Sequence, residues 1–174
     1  ALPRQPDRVV VAYFLNDPDY DPTHYQLLHR YFRGTIWWEH SHLARLVARW
    51  KFERERDAAG GLYRWYHRQD SDRWQSVLTG FDRIRDRTTE ARVPVLLVVF
   101  PCYRDFTRWE DYPYVDLHER VLSAARERGF ATLDLVPAFA ASGKPPGELS
   151  VDPEHPNALG HALAARAIAE FVEA

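Results

Sequence analysis

Methionine does not occur in these 174 residues, and cysteine occurs once, as Cys102. A single thiol excludes an intrachain disulfide and a zinc site built from several cysteines, while leaving the redox compartment open. Long apolar runs are also missing. The longest, Val93 to Pro101, falls far short of the roughly 20 residues a helix needs to cross a bilayer, so no membrane-spanning segment is expected. No basic segment followed by a small-residue cleavage site opens the chain. Neither sign of charge dominates: 23 Lys and Arg stand against 25 Asp and Glu, a formal net charge of −2. That near-balance removes any bulk drive toward nucleic acid or anionic lipid, and neither is expected as a partner. Internal repeats and low-complexity tracts are absent. What remains, 45% hydrophobic and 28% charged residues, suits a single soluble domain with a sizeable core. The start at Ala1 without a methionine suggests that further residues precede it.

Three short runs, Val9–Leu15, Val93–Phe100 and Ala131–Leu135, are largely apolar and β-branched, as strands buried on both faces are. Between the second and third, Tyr114–Gly129 places Val115, Leu117, Val121, Leu122 and Ala125 at helical spacing before a glycine stop. A Pro/Gly-rich loop, Pro137–Pro153, then leads to Ala158–Val172, an amphipathic segment with Leu159, Leu163, Ala167, Ile168 and Phe171 on one stripe. Strands alternating with helices predict an α/β fold with a parallel sheet, because parallel strands require crossovers that cover the sheet. The stretch at about 18–92 is too long for one crossover and is expected to be a helical insertion. It holds two amphipathic helices, Thr35–Asp57 with Ile36, Leu43, Leu46, Val47 and Trp50, and Asp72–Ala91 with Trp74, Val77, Leu78, Phe81 and Ile84. A break at Ala58–Gly61 lies between them. No second domain is expected.

The sharpest local signal is Asp152-Pro153-Glu154-His155-Pro156-Asn157. An aspartate three residues before a histidine on a turn can accept a proton from one ring nitrogen and leave the other as a base. The flanking prolines restrict the turn. The competing reading makes Asp152 and Asn157 helix caps, since Asx residues favour helix N-termini. A second signal, Asn16-Asp17, follows the first strand, where open α/β sheets build their binding crevices. The Asn16 amide there could donate to a developing oxyanion, or Asn-Asp-Pro could simply form an Asx-turn. Tyr103, Arg104, Phe106 and Trp109 follow the second strand and are expected at the same edge.

Together these residues resemble the SGNH hydrolases, the GDSL lipase and esterase superfamily, over about Val9 to the C-terminus. The family's Asn block is similar to Leu15-Asn16-Asp17, and its Asp-x-x-His block to Asp152 through Asn157, followed by Gly160-His161 and a terminal helix. The resemblance implies a three-layer α/β/α, flavodoxin-like fold and a serine ester hydrolase working through an acyl-enzyme. In it His155 would be the general base and acid, Asp152 its orienting carboxylate and Asn16 an oxyanion donor. Asp17 and Tyr103 would line the substrate site, and a small-molecule or carbohydrate ester would be the substrate. Neither a metal nor an organic cofactor is implied.

The family's Gly-Asp-Ser nucleophile block and its oxyanion glycine are not found here. Ser71 follows Asp70 without a buried strand before it and reads as part of a surface turn, Ser142 and Ser150 read as loop serines, and Gly34 comes after the Asn block instead of before it. The chain therefore looks like the carboxyl-terminal portion of such a domain, with its N-terminal strands and serine on a missing N-terminal segment and one edge of Val9–Leu15 left bare. An O-acyltransferase of the same superfamily acting on a carbohydrate is the nearest alternative, and a non-catalytic SGNH-like binding module the next.

Other clusters read more plainly. In Glu39-His40-Ser41-His42 the two histidines of a helix would point about 200° apart, unlike helical metal ligands. His24, His29, His67 and His118 stand singly, as surface or helix-face residues do. Arg45, Arg49, Lys51, Arg54 and Arg56 interleave with Glu53, Glu55 and Asp57 as on a solvated helix face. The aromatic residues of the insertion, Trp37, Trp38, Trp50, Tyr63, Trp65, Tyr66 and Trp74, read as core or as a lid over the crevice.

Overall fold

In a computed structural model the chain is described over residues 6–18 and 41–174. It divides into two compact units, Ala1–Leu15 with Val77–Ala174, and Asn16–Ser76. The first unit is an α/β structure around a three-stranded parallel sheet of β1 (Val9–Tyr13), β2 (Val95–Val99) and β3 (Ala131–Asp134), in the order β1-β2-β3. Register runs from Val9 opposite Val95 to Tyr13 opposite Val99, and from Leu96 opposite Ala131 to Val99 opposite Asp134. All five residues of β2 are buried, because a strand paired on both sides and covered on both faces can hold only apolar side chains.

β1 differs from the expected fully buried strand. Its exposure alternates along the chain and Val10 is 46% exposed. Among the described residues only β2 pairs with it, so it forms an edge of the described sheet. Both outer strands end earlier than their apolar runs, with Leu15 already in the turn Leu15–Pro18 and Leu135 at the cap of the next helix.

Helix α3 (Asp72–Ala91) begins in the second unit and ends in the first, where Phe81 meets Tyr13 and Phe130 edge-on. α4 (Val115–Arg126) follows β2 and buries Leu117, His118, Val121, Leu122, Ala124 and Ala125. Gly129, at φ 79°, lets the chain turn in the left-handed region before β3. Arg128 reaches back to the Asp82 carboxylate at 3.0 Å. The expected loop Pro137–Pro153 is not all loop: α5 (Val136–Ala141) opens it and a 3-10 turn, Pro146–Glu148, follows. Pro137 is compatible with a helix at its first turn, where its missing N–H costs nothing, and Phe139 drives the segment inward. The closing helix α6 (Ala158–Glu173) buries Gly160 and Ala164 and packs Leu163, Ala167 and Ile168 on a core of Leu96, Val98, Phe100, Leu135, Phe139 and Leu149.

The second unit holds α1 (His42–Ala58) and α2 (Leu62–Tyr66). Ser41 caps α1 by accepting the Ala44 N–H. The apolar stripe read from the sequence faces the wrong way: Ala44 and Ala48 are buried, whereas Leu43, Leu46, Val47 and Trp50 are exposed, the first by 66%. Hydrophobic periodicity gives alanines little weight, yet two of them one turn apart allow a close approach that larger side chains prevent. The expected break falls at 59–61, and α2 follows it with Tyr63, Trp65 and Tyr66 all buried. Trp65 meets Phe52 edge-on, and Arg73 lies over the rings of Trp65 and Tyr66. Trp37, Trp38, Ile36, Gly34, His24, His29, Glu39 and His40 fall outside the described residues.

Candidate functional site

The Asp152-x-x-His155 turn is a closed unit built at the foot of α6. Ser150 and Pro156 form an isolated antiparallel bridge, and the Val151 N–H donates to the His155 carbonyl at 3.0 Å. This pinches five residues into a loop. Inside it Asp152 Oδ1 accepts the backbone N–H groups of Glu154 and His155, both at 2.8 Å. The same carboxylate receives His155 Nδ1, at 2.9 Å to Oδ1 and 2.8 Å to Oδ2. In the neutral ring, with Nδ1–H donating to the carboxylate, Nε2 carries the lone pair. The His155 side chain is 59% exposed, and among the described residues no hydrogen bond engages Nε2. The Glu154 backbone N–H, then the His155 ring, hold the Asp152 carboxyl below the usual aspartate range.

The two roles weighed for this segment fall on different residues. Asn157 is the helix cap, with Oδ1 accepting the Leu159 and Gly160 N–H groups at 3.0 Å each, and its Nδ2 donating to the Glu148 carbonyl at 2.8 Å. Asp152 takes no part in capping α6 and is turned onto His155.

The turn is anchored from the loop that leaves β2. The Pro153 carbonyl accepts the Tyr103 N–H at 2.8 Å and the Cys102 thiol at 3.4 Å. Arg104 pairs with Glu154 at 3.1 Å on the surface. The next residue, Asp105, occupies the left-handed region at φ 67° and its carboxylate accepts the Tyr114 hydroxyl at 3.3 Å. The Tyr103 ring is placed differently from a substrate contact at an open edge. It is only 8% exposed, packs against Trp109 and Phe139, and burial raises the pKa of its hydroxyl.

Asn16 is half-buried and Asp17 exposed in the turn Leu15–Pro18 that follows β1. Both belong to the second unit, whereas Asp152, His155 and Tyr103 belong to the first. The serines resolve simply. Ser71 is buried, not on a surface turn, and its hydroxyl accepts the Arg73 N–H ahead of α3. Ser142 and Ser150 donate to the carbonyls of Phe139 and Pro146.

Two histidines read as surface or helix-face residues are buried. His67 is fully enclosed, with Nδ1 bonded to the Tyr63 carbonyl at 2.8 Å. His118 lies on the buried face of α4 between Asp134 and Tyr112. Its position beside Leu117 and three residues before Val121 was the available signal. A polar residue on an apolar stripe either interrupts it or has buried partners, and only tertiary structure supplies Asp134 and Tyr112. Among the described residues no group of three or more His, Cys, Asp and Glu is arranged to hold a metal ion. No helix of the described chain is long and apolar enough to cross a membrane.

No family model matches this chain, and neither a curated protein nor a solved structure matches it.

Proposed function

We propose that the chain is part of a serine ester hydrolase of the SGNH/GDSL type, with a flavodoxin-like three-layer domain. The observation that supports this reading best is the Asp152–His155 pair: a carboxylate with both oxygens on Nδ1 and a solvent-facing imidazole. Such a pair holds the tautomer in which Nε2 can take a proton from a nucleophile.

In the proposed reaction a serine outside these 174 residues attacks the ester carbonyl while His155 Nε2 takes its proton, and His155 then returns that proton to the departing alcohol. Water, activated by the same Nε2, then hydrolyses the acyl-enzyme. Asp152 holds the ring and stabilises the imidazolium formed in each half-reaction. The assignment rests on the motifs and on this geometry.

The test is hydrolysis of a short acyl ester by the protein expressed from its whole reading frame. Turnover that disappears in His155→Ala with the fold retained supports the proposal. No turnover, or turnover that survives the substitution, overturns it and leaves the binding module as the better reading.

A further inference from the structure

The first unit holds a second aspartate–histidine pair, whose histidine is buried and whose carboxylate is partly exposed. His118 is 1% exposed. Its Nδ1–H donates to Asp134 Oδ1 at 2.9 Å, and the same oxygen accepts the Val136 N–H at 3.0 Å. With Nδ1 carrying the proton, Nε2 accepts the Tyr112 O–H at 2.8 Å. The Tyr112 oxygen accepts in turn, from the backbone N–H of Cys102 at 3.2 Å. Every member of the chain Asp134–His118–Tyr112–Cys102 thus has a defined donor or acceptor role. Asp134 ends β3, His118 lies on α4, Tyr112 follows a 3-10 turn, and Cys102 lies three residues beyond β2.

The chain ends where the exposed pair is held. Cys102, whose N–H it fixes, donates its thiol to the Pro153 carbonyl, and Tyr103 donates its N–H to the same oxygen. Pro153 lies between Asp152 and His155. We infer that Tyr112, His118 and Asp134 are positioning residues for the Asp152–His155 pair, acting through the clamp that Cys102 and Tyr103 place on the Pro153 carbonyl. The inference rests on the general-base role proposed for His155.

A polar network with a buried centre, here His118 and Tyr112, and all members satisfied is rigid, and losing one member leaves its neighbours unpaired. Removing the Tyr112 hydroxyl takes the donor from His118 Nε2 and the acceptor from the Cys102 N–H. The 102–103 segment then opens more often, its hold on Pro153 weakens, and Asp152 loses register with the ring.

Two readouts follow this without requiring esterase activity: the alkylation rate of Cys102, mapped by peptide mass, and the ring tautomer of His155, read from its imidazole ¹⁵N shifts. In Tyr112→Phe, Cys102 should react at least about tenfold faster, by more frequent local opening, and the Nδ1–H tautomer of His155 should lose population. Phe130→Leu, which loosens packing against Phe81 elsewhere in the unit, should move neither. Where the whole protein hydrolyses esters, Tyr112→Phe should lower kcat more than it changes KM, and should add nothing to His155→Ala. A folded Tyr112→Phe whose Cys102 rate stays within about twofold of wild type and whose His155 tautomer is unchanged overturns the inference. So does a Phe130→Leu protein that moves both readouts equally. Should Tyr112→Phe not fold, Asp134→Asn is read by the same two measurements and the same criteria. A wild-type protein without esterase activity defeats the proposed function, while the thiol and tautomer readouts still decide the clamp.

Discussion

A Cβ placed on Gly160 would stand 2.4 Å from the Leu149 carbonyl oxygen and 2.9 Å from Pro156 Cβ. The helix α6 and the strap before it meet with no side chain between them. The same Leu149 carbonyl accepts the Asn157 N–H at 2.9 Å, so it cannot swing away without breaking the start of the helix. Gly160→Ala should therefore destabilise the protein by about 1–3 kcal/mol through overpacking, outweighing the helix propensity that alanine adds. Urea unfolding measures this, and an unchanged or higher midpoint would show that the strap yields.

Asn157 holds that junction from both sides, as acceptor for α6 and as donor to Glu148. Asn157→Ala should cost about 0.5–2 kcal/mol, the usual range for a lost N-cap. Asn157→Asp keeps the acceptor oxygen and loses the donor, and should fall between the two. Equal stability of the Ala and Asp variants would mean that the bond to Glu148, not the cap, carries the effect.

Asp152 should report acid opening of the candidate site. Its pKa is depressed by the Glu154 N–H and then by the His155 ring. Its contribution to the turn is therefore present above about pH 4, where unfolded aspartate is ionised, and is lost as pH falls through the lower folded value. The amide protons of Glu154 and His155 should shift together with a midpoint below about pH 4, and Asp152→Asn should abolish that transition. A midpoint at or above the free-aspartate value would contradict the geometry.

In the intact enzyme that is proposed, His155→Ala should lower kcat by on the order of 10³-fold or more, since general-base activation of the serine disappears. Asp152→Ala should cost less, because it removes orientation and leaves the base. The 174 residues alone should not turn over an ester. Steady-state kinetics on one short acyl ester decide the order, and an Asp152→Ala defect larger than that of His155→Ala would reverse the assigned roles.

Much of the parallel sheet was readable in one dimension. β2 is continuously apolar because both its faces are covered, and that pattern needs no partner to be recognised. The Asp152–His155 turn was readable for a related reason: the partners lie three positions apart, so local backbone geometry alone can close the pair. Asn157 and Gly160 belong to the same local chemistry of a helix start.

The inward face of α1 could not be read, because Ala44 and Ala48 matter through what they let approach, and the larger Leu43, Leu46, Val47 and Trp50 outweigh them in any periodicity. His118 was read as a surface or helix-face residue, and its burial was not legible for want of Asp134 and Tyr112, which tertiary structure brings to its two ring nitrogens. Tyr103 followed the second strand as the sequence implied, yet the packing of Trp109 and Phe139 turned its ring inward and left its backbone N–H to hold Pro153. What the sequence determined by itself was therefore the class of the sheet and the chemistry of groups a few residues apart, where chain connectivity limits the possible geometries. What the tertiary structure alone decided was which faces are buried and which distant polar groups share a proton, because those depend on contacts between segments whose separation along the chain carries no geometric information.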